Sequence, residues 1–155
     1  MNNELIKDVL KSSKTIAMIG VSSIKKEESS KKIKRRPSII VMKYLQEFGY
    51  KVIPVNPNSE GTKLFGEKVF ARVEDVKIPI DIVNVFRPSV EVPMIAKQAI
   101  KVGARTLWLQ YGIESLEAEK ILKLANITYI ANKCIKQEYQ KLFLKVNPTF
   151  PVLQN

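Results

Sequence analysis

Hydrophobic runs of strand length alternate along this chain with stretches of helical period, and five short polar motifs each sit at the end of a hydrophobic run. The motifs are Gly20-Val21-Ser22, Arg36-Pro37-Ser38, Pro54-Val55-Asn56-Pro57, Phe86-Arg87-Pro88-Ser89 and Trp108-Leu109-Gln110-Tyr111-Gly112. In an open parallel α/β sheet the carboxyl ends of the strands form one edge. Motifs far apart in sequence therefore converge there on a single crevice, the place where such folds bind nucleotides.

Leu5, Ile6, Val9 and Leu10 share one side of a helical wheel and predict a short leading helix. Thr15 to Gly20 reads as a buried strand ending in glycine, and Lys51 to Val55 as a second strand whose Pro54 predicts a departure from regular pairing at its end. Between them, Pro37 suits the first turn of a crossover helix with Ile40, Val41, Tyr44, Leu45 and Phe48 as its apolar stripe. Residues 58 to 79 are the least periodic, with turns at Glu60-Gly61 and Phe65-Gly66-Glu67 and a helical turn over Val73 to Val76. Strands are expected at Ile80 to Phe86, Thr106 to Leu109 and Tyr129 to Ala131. Helices are expected around Val92 to Ala99, Ala118 to Ala125 and Ile135 to Phe143, the last stopped before Pro148. This order predicts one α/β domain over residues 1–155, with a doubly wound, mostly parallel sheet.

Composition narrows the chemistry. The 155 residues include one cysteine, Cys134, and no histidine, so an intrachain disulfide, a cysteine-based metal cluster and phosphohistidine chemistry are all excluded. No metal site is expected. No apolar run approaches the roughly 18–20 residues that span a bilayer, and the first residues lack the apolar centre of a signal peptide, so the expected location is the cytoplasm. The net charge of +11 favours anionic partners, but 21 lysines spread along the chain read as a solubilising coat. The five arginines say more, because guanidinium suits bidentate phosphate contacts, and two of them, Arg36 and Arg87, fall in the motifs. Residues 25–36 carry seven basic and two acidic side chains without apolar period, the pattern of a mobile charged loop.

Each motif has a functional and an ordinary reading. Gly20 at a strand end lets backbone approach a phosphate, with Ser22 or Ser23 as hydroxyl donors, but glycine is also a routine turn residue. The three glycines of the dinucleotide fingerprint are absent. Asn56 stands where an acidic residue would hold an NAD ribose. Arg36 before Pro37 sets a cation beside a helix N-terminus, or merely ends a solvated loop. Pro54 to Pro57 and Phe86 to Ser89 are rigid proline turns that hold polar side chains over the sheet edge; Ser89 is expected to cap the following helix. Trp108 and Tyr111 suit a core as well as a ligand wall. Asp81, Glu91 and Glu114 are not spaced as a catalytic pair. Cys134, after the last strand, either faces the crevice or is a buried, inert cysteine.

In this order, Gly-Val-Ser, Arg-Pro-Ser, Gly-Tyr-Lys-Val-Ile-Pro-Val-Asn-Pro, Val-Phe-Arg-Pro-Ser, Trp-Leu-Gln-Tyr-Gly and a late cysteine closely resemble the small stand-alone CoA-binding-domain proteins. The resemblance covers about residues 12 to 143. It implies a Rossmann-like CoA-binding fold related to the N-terminal domain of the succinyl-CoA ligase α subunit. It implies phosphate contacts at Gly20, Val21, Ser22 and Arg36 with Pro37, Asn56 and Pro57 lining the nucleotide site, and Phe86, Arg87, Pro88 and Gln110 beside the CoA. Ligase chemistry does not carry over, since it needs a phosphorylated histidine and further domains. The expectation is a CoA or acyl-CoA binding module without evident catalysis. The alternatives are an NAD-linked oxidoreductase or other nucleotide-dependent enzyme and, beyond that, nucleic-acid binding through residues 25–36, which lack an aromatic residue for base stacking.

Overall fold

In this computed structural model, residues 2–22 and 36–145 are described. Residues 25–35 of the basic segment, and with them the expectation of a mobile loop, lie outside the described residues, as does Pro148. Helix α1 (Asn3–Ser12) is capped by Asn2, whose side chain accepts from the Glu4 N–H. It docks through Ile6 and Leu10, both buried, while Leu5 stays partly exposed. Five strands form the main sheet: β1 (Thr15–Ile19), β2 (Lys51–Val55), β5 (Ile82–Val85), β6 (Thr106–Leu109) and β7 (Thr128–Ile130). Their order is β2-β1-β5-β6-β7, and every pairing is parallel.

Because side chains alternate across a strand, the sheet buries two faces, and each needs a cover. Ile16, Met18, Val52, Ile82, Trp108 and Ile130 pack on one side against α1, α2 (Pro37–Glu47) and α5 (Ile135–Tyr139). Ala17, Ile53, Val83, Val85, Leu107 and Leu109 pack on the other against α3 (Val92–Lys101) and α4 (Leu116–Leu124). The sheet is thus doubly wound, as the alternation predicted. From β1 the chain turns to β2 on one side and returns to β5 on the other, which makes the gap between the ends of β1 and β5 the topological switch point.

Two local expectations are corrected, and a third region gains a hairpin. Pro54 stays in register opposite Met18, and β2 pairs regularly through Val55. Its carbonyl points outward and accepts from the Phe70 N–H at 3.0 Å. A residue's N and O face the same side of a strand, so the missing N–H falls on the outer edge and costs the β1 ladder nothing. Ser89 does not cap α3. It opens a single 3-10 turn (Ser89–Glu91) without a side-chain cap, which sets the helix start back to Val92, and its hydroxyl instead accepts from the Glu114 N–H at 3.2 Å. Residues 58–79 contain, besides the helical turn at Val73–Asp75, a small hairpin of β3 (Lys63–Leu64) and β4 (Glu67–Lys68). Its tight turn places both Phe65 and Gly66 at positive φ.

Candidate functional site

The parallel ladder continues one step beyond the strands at their carboxyl ends. Gly20 N–H donates to the Val55 carbonyl at 3.0 Å, Phe86 N–H to Ile19 at 2.9 Å and Gln110 N–H to Val85 at 3.1 Å. Gly20, Phe86 and Gln110 therefore stand in a row along one edge. At the switch point the approach is closer than any side chain permits. A Cβ on Gly20 would lie 2.6 Å from both Arg87 Cδ and the Phe86 carbonyl oxygen, and the residue's φ is +88°. Only glycine fits a contact that is blocked by backbone and demands a left-handed conformation.

Two cavities open on either side of this contact and share Gly20, Ser22 and Arg87. The larger, about 810 Å³, lies toward α2 and α5 and is lined by Pro37, Ser38, Phe86, Pro88, Gln110, Tyr111, Ile113, Cys134 and Gln137 besides the shared residues. The smaller, about 610 Å³, lies toward α3 and is lined in part by Val21, Asn56, Pro57, Asn58, Arg72 and Gln98. Both fall within the roughly 300–1,000 Å³ of small-molecule sites. Both have mainly apolar walls: the larger is rich in rings and also carries Gln110 and Gln137, while the smaller sets three amides (Asn56, Asn58 and Gln98), Arg72 and the Glu91 carboxylate among aliphatic side chains.

Hydrogen bonds hold the loops that carry these residues. Asn56 Nδ2 donates to the Val21 carbonyl at 2.8 Å and its Oδ1 accepts from the Asn58 N–H at 2.9 Å, so this side chain splices the ends of β1 and β2. Ser38 Oγ, on the first turn of α2, accepts from the Ser22 N–H at 3.0 Å. That bond sets the loop after β1 against a helix N-terminus, where backbone donors and the helix dipole favour an anion. Arg87 is clasped by Glu91 through Nε at 3.2 Å and Nη2 at 2.6 Å. Both partners are close to half exposed, so the pair contributes only about 0–1 kcal/mol and opens at little cost. Arg72 is similarly held by Asp75 at 3.1 Å, and that contact raises its pKa.

Gln110 differs from these. Its side chain is 7% exposed, and Oε1 has no hydrogen-bond partner among the described residues. Leaving a buried amide oxygen unpaired costs about 1–3 kcal/mol. Trp108 is fully buried and belongs to the core, whereas Tyr111 is 73% exposed at the cavity rim. Cys134 is buried and also lines the larger cavity, which joins the two alternatives posed for it.

Of the residues singled out from sequence, Gly20, Val21, Ser22, Pro37, Asn56, Pro57, Phe86, Arg87, Pro88 and Gln110 line one or both cavities. Arg36 lines neither; it is the residue from which α2 starts, immediately before Pro37. Sequence reasoning missed Arg72, Gln98 and Gln137. Gln98 and Gln137 are ordinary polar positions on helices, and Arg72 lies in the aperiodic stretch where no strand end marked it. Ser38 was visible within Arg36-Pro37-Ser38 but gave no sign of its bond to Ser22. Among the described residues no group of three or more His, Cys, Asp or Glu side chains could hold a metal ion, and no helix is long and apolar enough to cross a membrane.

Known proteins resemble this chain in sequence and in fold. The chain is 37% identical to the uncharacterized protein YneT of Bacillus subtilis, over 84% of this chain and 89% of that protein. It is 26% identical to the ADP-forming acetate–CoA ligase of Methanocaldococcus jannaschii, covering 88% of this chain but only 19% of the ligase. A solved protein of Thermus thermophilus superposes with a TM-score of 0.82 at 37% identity, over 92% of this chain and all of that one. The family described as CoA binding domain matches residues 14–140, and this chain, with its Rossmann-like sheet and strand-end crevice, belongs to that family.

Proposed function

We propose that the crevice binds CoA or acyl-CoA, with the nucleotide half in the smaller cavity and the pantetheine arm in the larger. The main support is that two cavities meet at Gly20, Ser22 and Arg87, the smaller of them with the larger share of polar side chains. A diphosphate crossing that junction would find the glycine backbone, the Ser22 and Ser38 hydroxyls and the N-terminus of α2. Arg87, released from Glu91, and Arg36 at the helix start supply positive charge. Asn56 and Pro57 wall the nucleotide side, with Arg72 at its margin. Phe86, Pro88 and Gln110 wall the arm, which alternates amides with short apolar stretches. The match to a segment of an ADP-forming acetate–CoA ligase supports the same ligand class.

A ligand that binds only the native state raises its melting temperature. CoA, NAD and ATP at equal concentrations should therefore separate in a thermal-shift measurement, with CoA giving the largest rise. A rise with NAD and none with CoA would overturn the reading.

A further inference from the structure

Cys134 is the only cysteine of the chain. It is 3% exposed, yet it lines the larger cavity together with Gln110. Its place is fixed by the neighbouring strand. Trp108 Nε1 donates to the Lys133 carbonyl at 2.8 Å, and the Lys133 N–H donates to the Leu109 carbonyl at 3.3 Å, so the residue before the thiol is tied to the residues before Gln110.

Gln110 supplies an independent sign of a ligand in this corner. Gln110 lines the same cavity, and its Oε1 is buried with no donor among the described residues; buried polar atoms are rarely left so. Asn84 Oδ1 is also without a partner, but it lies inside β5 and lines neither cavity of the crevice, so it carries no such implication.

Resting on the CoA reading above, we propose that the pantetheine arm ends in this corner and that peroxide locks it there. One amide N–H of the arm donates to Gln110 Oε1 and the ligand thiol faces Cys134. The Cys134 thiolate attacks one oxygen of hydrogen peroxide; the O–O bond breaks and the departing hydroxide takes up the thiol's proton as water, leaving a sulfenic acid. The CoA thiolate then attacks that sulfur, the S–O bond breaks, and the second hydroxide leaves as water with the CoA thiol's proton. Two thiols are oxidised to one mixed disulfide, and one peroxide is reduced to two waters. The result is a ligand held covalently under oxidation and released by reduction.

The test treats reduced protein, first saturated with CoA, with hydrogen peroxide and reads the intact mass. The expected product is one protein plus one CoA less two hydrogen atoms, reversed by dithiothreitol. It should form roughly tenfold or more faster than the glutathione adduct at equal thiol concentration, since the seated thiol has a high effective concentration. Desulfo-CoA, which lacks the thiol, should suppress it. Gln110→Leu should slow the reaction at sub-saturating CoA; should that variant not fold, the glutathione comparison still decides. CoA binding to the reduced protein is measured alongside by calorimetry. Binding without an adduct, a glutathione adduct formed as fast as the CoA adduct, or sulfinic acid at Cys134 despite bound CoA would overturn the proposal and leave the CoA reading intact. No CoA binding to the reduced protein would remove both.

Discussion

The two edges of the sheet treat their polar groups in opposite ways. At the amino edge, Asp81 spends its backbone groups and one carboxylate oxygen on neighbouring strands. Its Oδ2 accepts from the Lys14 and Thr15 N–H groups at 2.8 and 3.0 Å, its N–H donates to Thr15, and its carbonyl accepts from Arg105 and Thr106. Close by, the Tyr50 hydroxyl donates to the Leu10 carbonyl at 2.6 Å and fastens α1. At the carboxyl edge, Gln110 Oε1 is left without a partner, Gly20 keeps space that any side chain would fill, and two cavities remain open. The lesson is that polar residues alone do not mark a site. Asp81 is a carboxylate at a strand start and closes the fold; the candidate site lies at the edge that keeps an unpaired buried amide oxygen and open cavities.

Substitutions should split along the same line. The largest effect is expected at Gly20→Ala, where the new Cβ meets the Phe86 carbonyl and the φ of +88° is unfavourable. Unfolding free energy should drop by about 1–3 kcal/mol, and CoA binding should fall below calorimetric detection in a protein that remains folded. Asp81→Ala should lower stability by about 1.5–3 kcal/mol in urea titration, yet leave the affinity for CoA unchanged. Asp81→Asn, which keeps an acceptor, should recover part of that loss. A drop in CoA affinity with Asp81→Ala would show that the two edges are not separable. Tyr50→Phe should cost about 0.5–1.5 kcal/mol, again without affecting binding.

Tyr50 also gives the amino edge a pH signature. Burial, and then the nearby Tyr139, push its pKa up to about 12 from the usual 10.0. Between those values the unfolded chain gives up a proton that the folded one keeps, so stability is fully present below pH 10 and falls as pH rises toward 12. Tyr44, also raised to about 12, acts in the same direction, so Tyr50→Phe should reduce the alkaline fall without abolishing it.

The strand–helix alternation was legible because each main strand and helix carries a long enough apolar pattern to show its period. The hairpin at residues 63–68 was not, since two-residue strands have no period and the turn relies on Phe65 at φ 47°. Pro54 misled because sequence does not say which side of a strand faces an edge. The crevice residues were legible at strand ends, where glycine, proline and arginine interrupt apolar runs. Arg72 was not, because a single bridge between Val55 and Phe70 brings it to the site from an aperiodic segment. Ser89 looked like a cap, and only the start of α3 at Val92 reveals that its hydroxyl serves the next loop.

In the proposed binding mode one ligand spans both cavities, its polar half on the α3 side and its arm on the side of α2 and α5. Competition calorimetry with CoA, 3′,5′-ADP and pantetheine tests it most directly. CoA should bind with one-to-one stoichiometry and more tightly than either fragment, each fragment should bind weakly without excluding the other, and CoA should displace both. CoA binding no tighter than 3′,5′-ADP, or mutual exclusion of the two fragments, would rule out a ligand that spans both cavities.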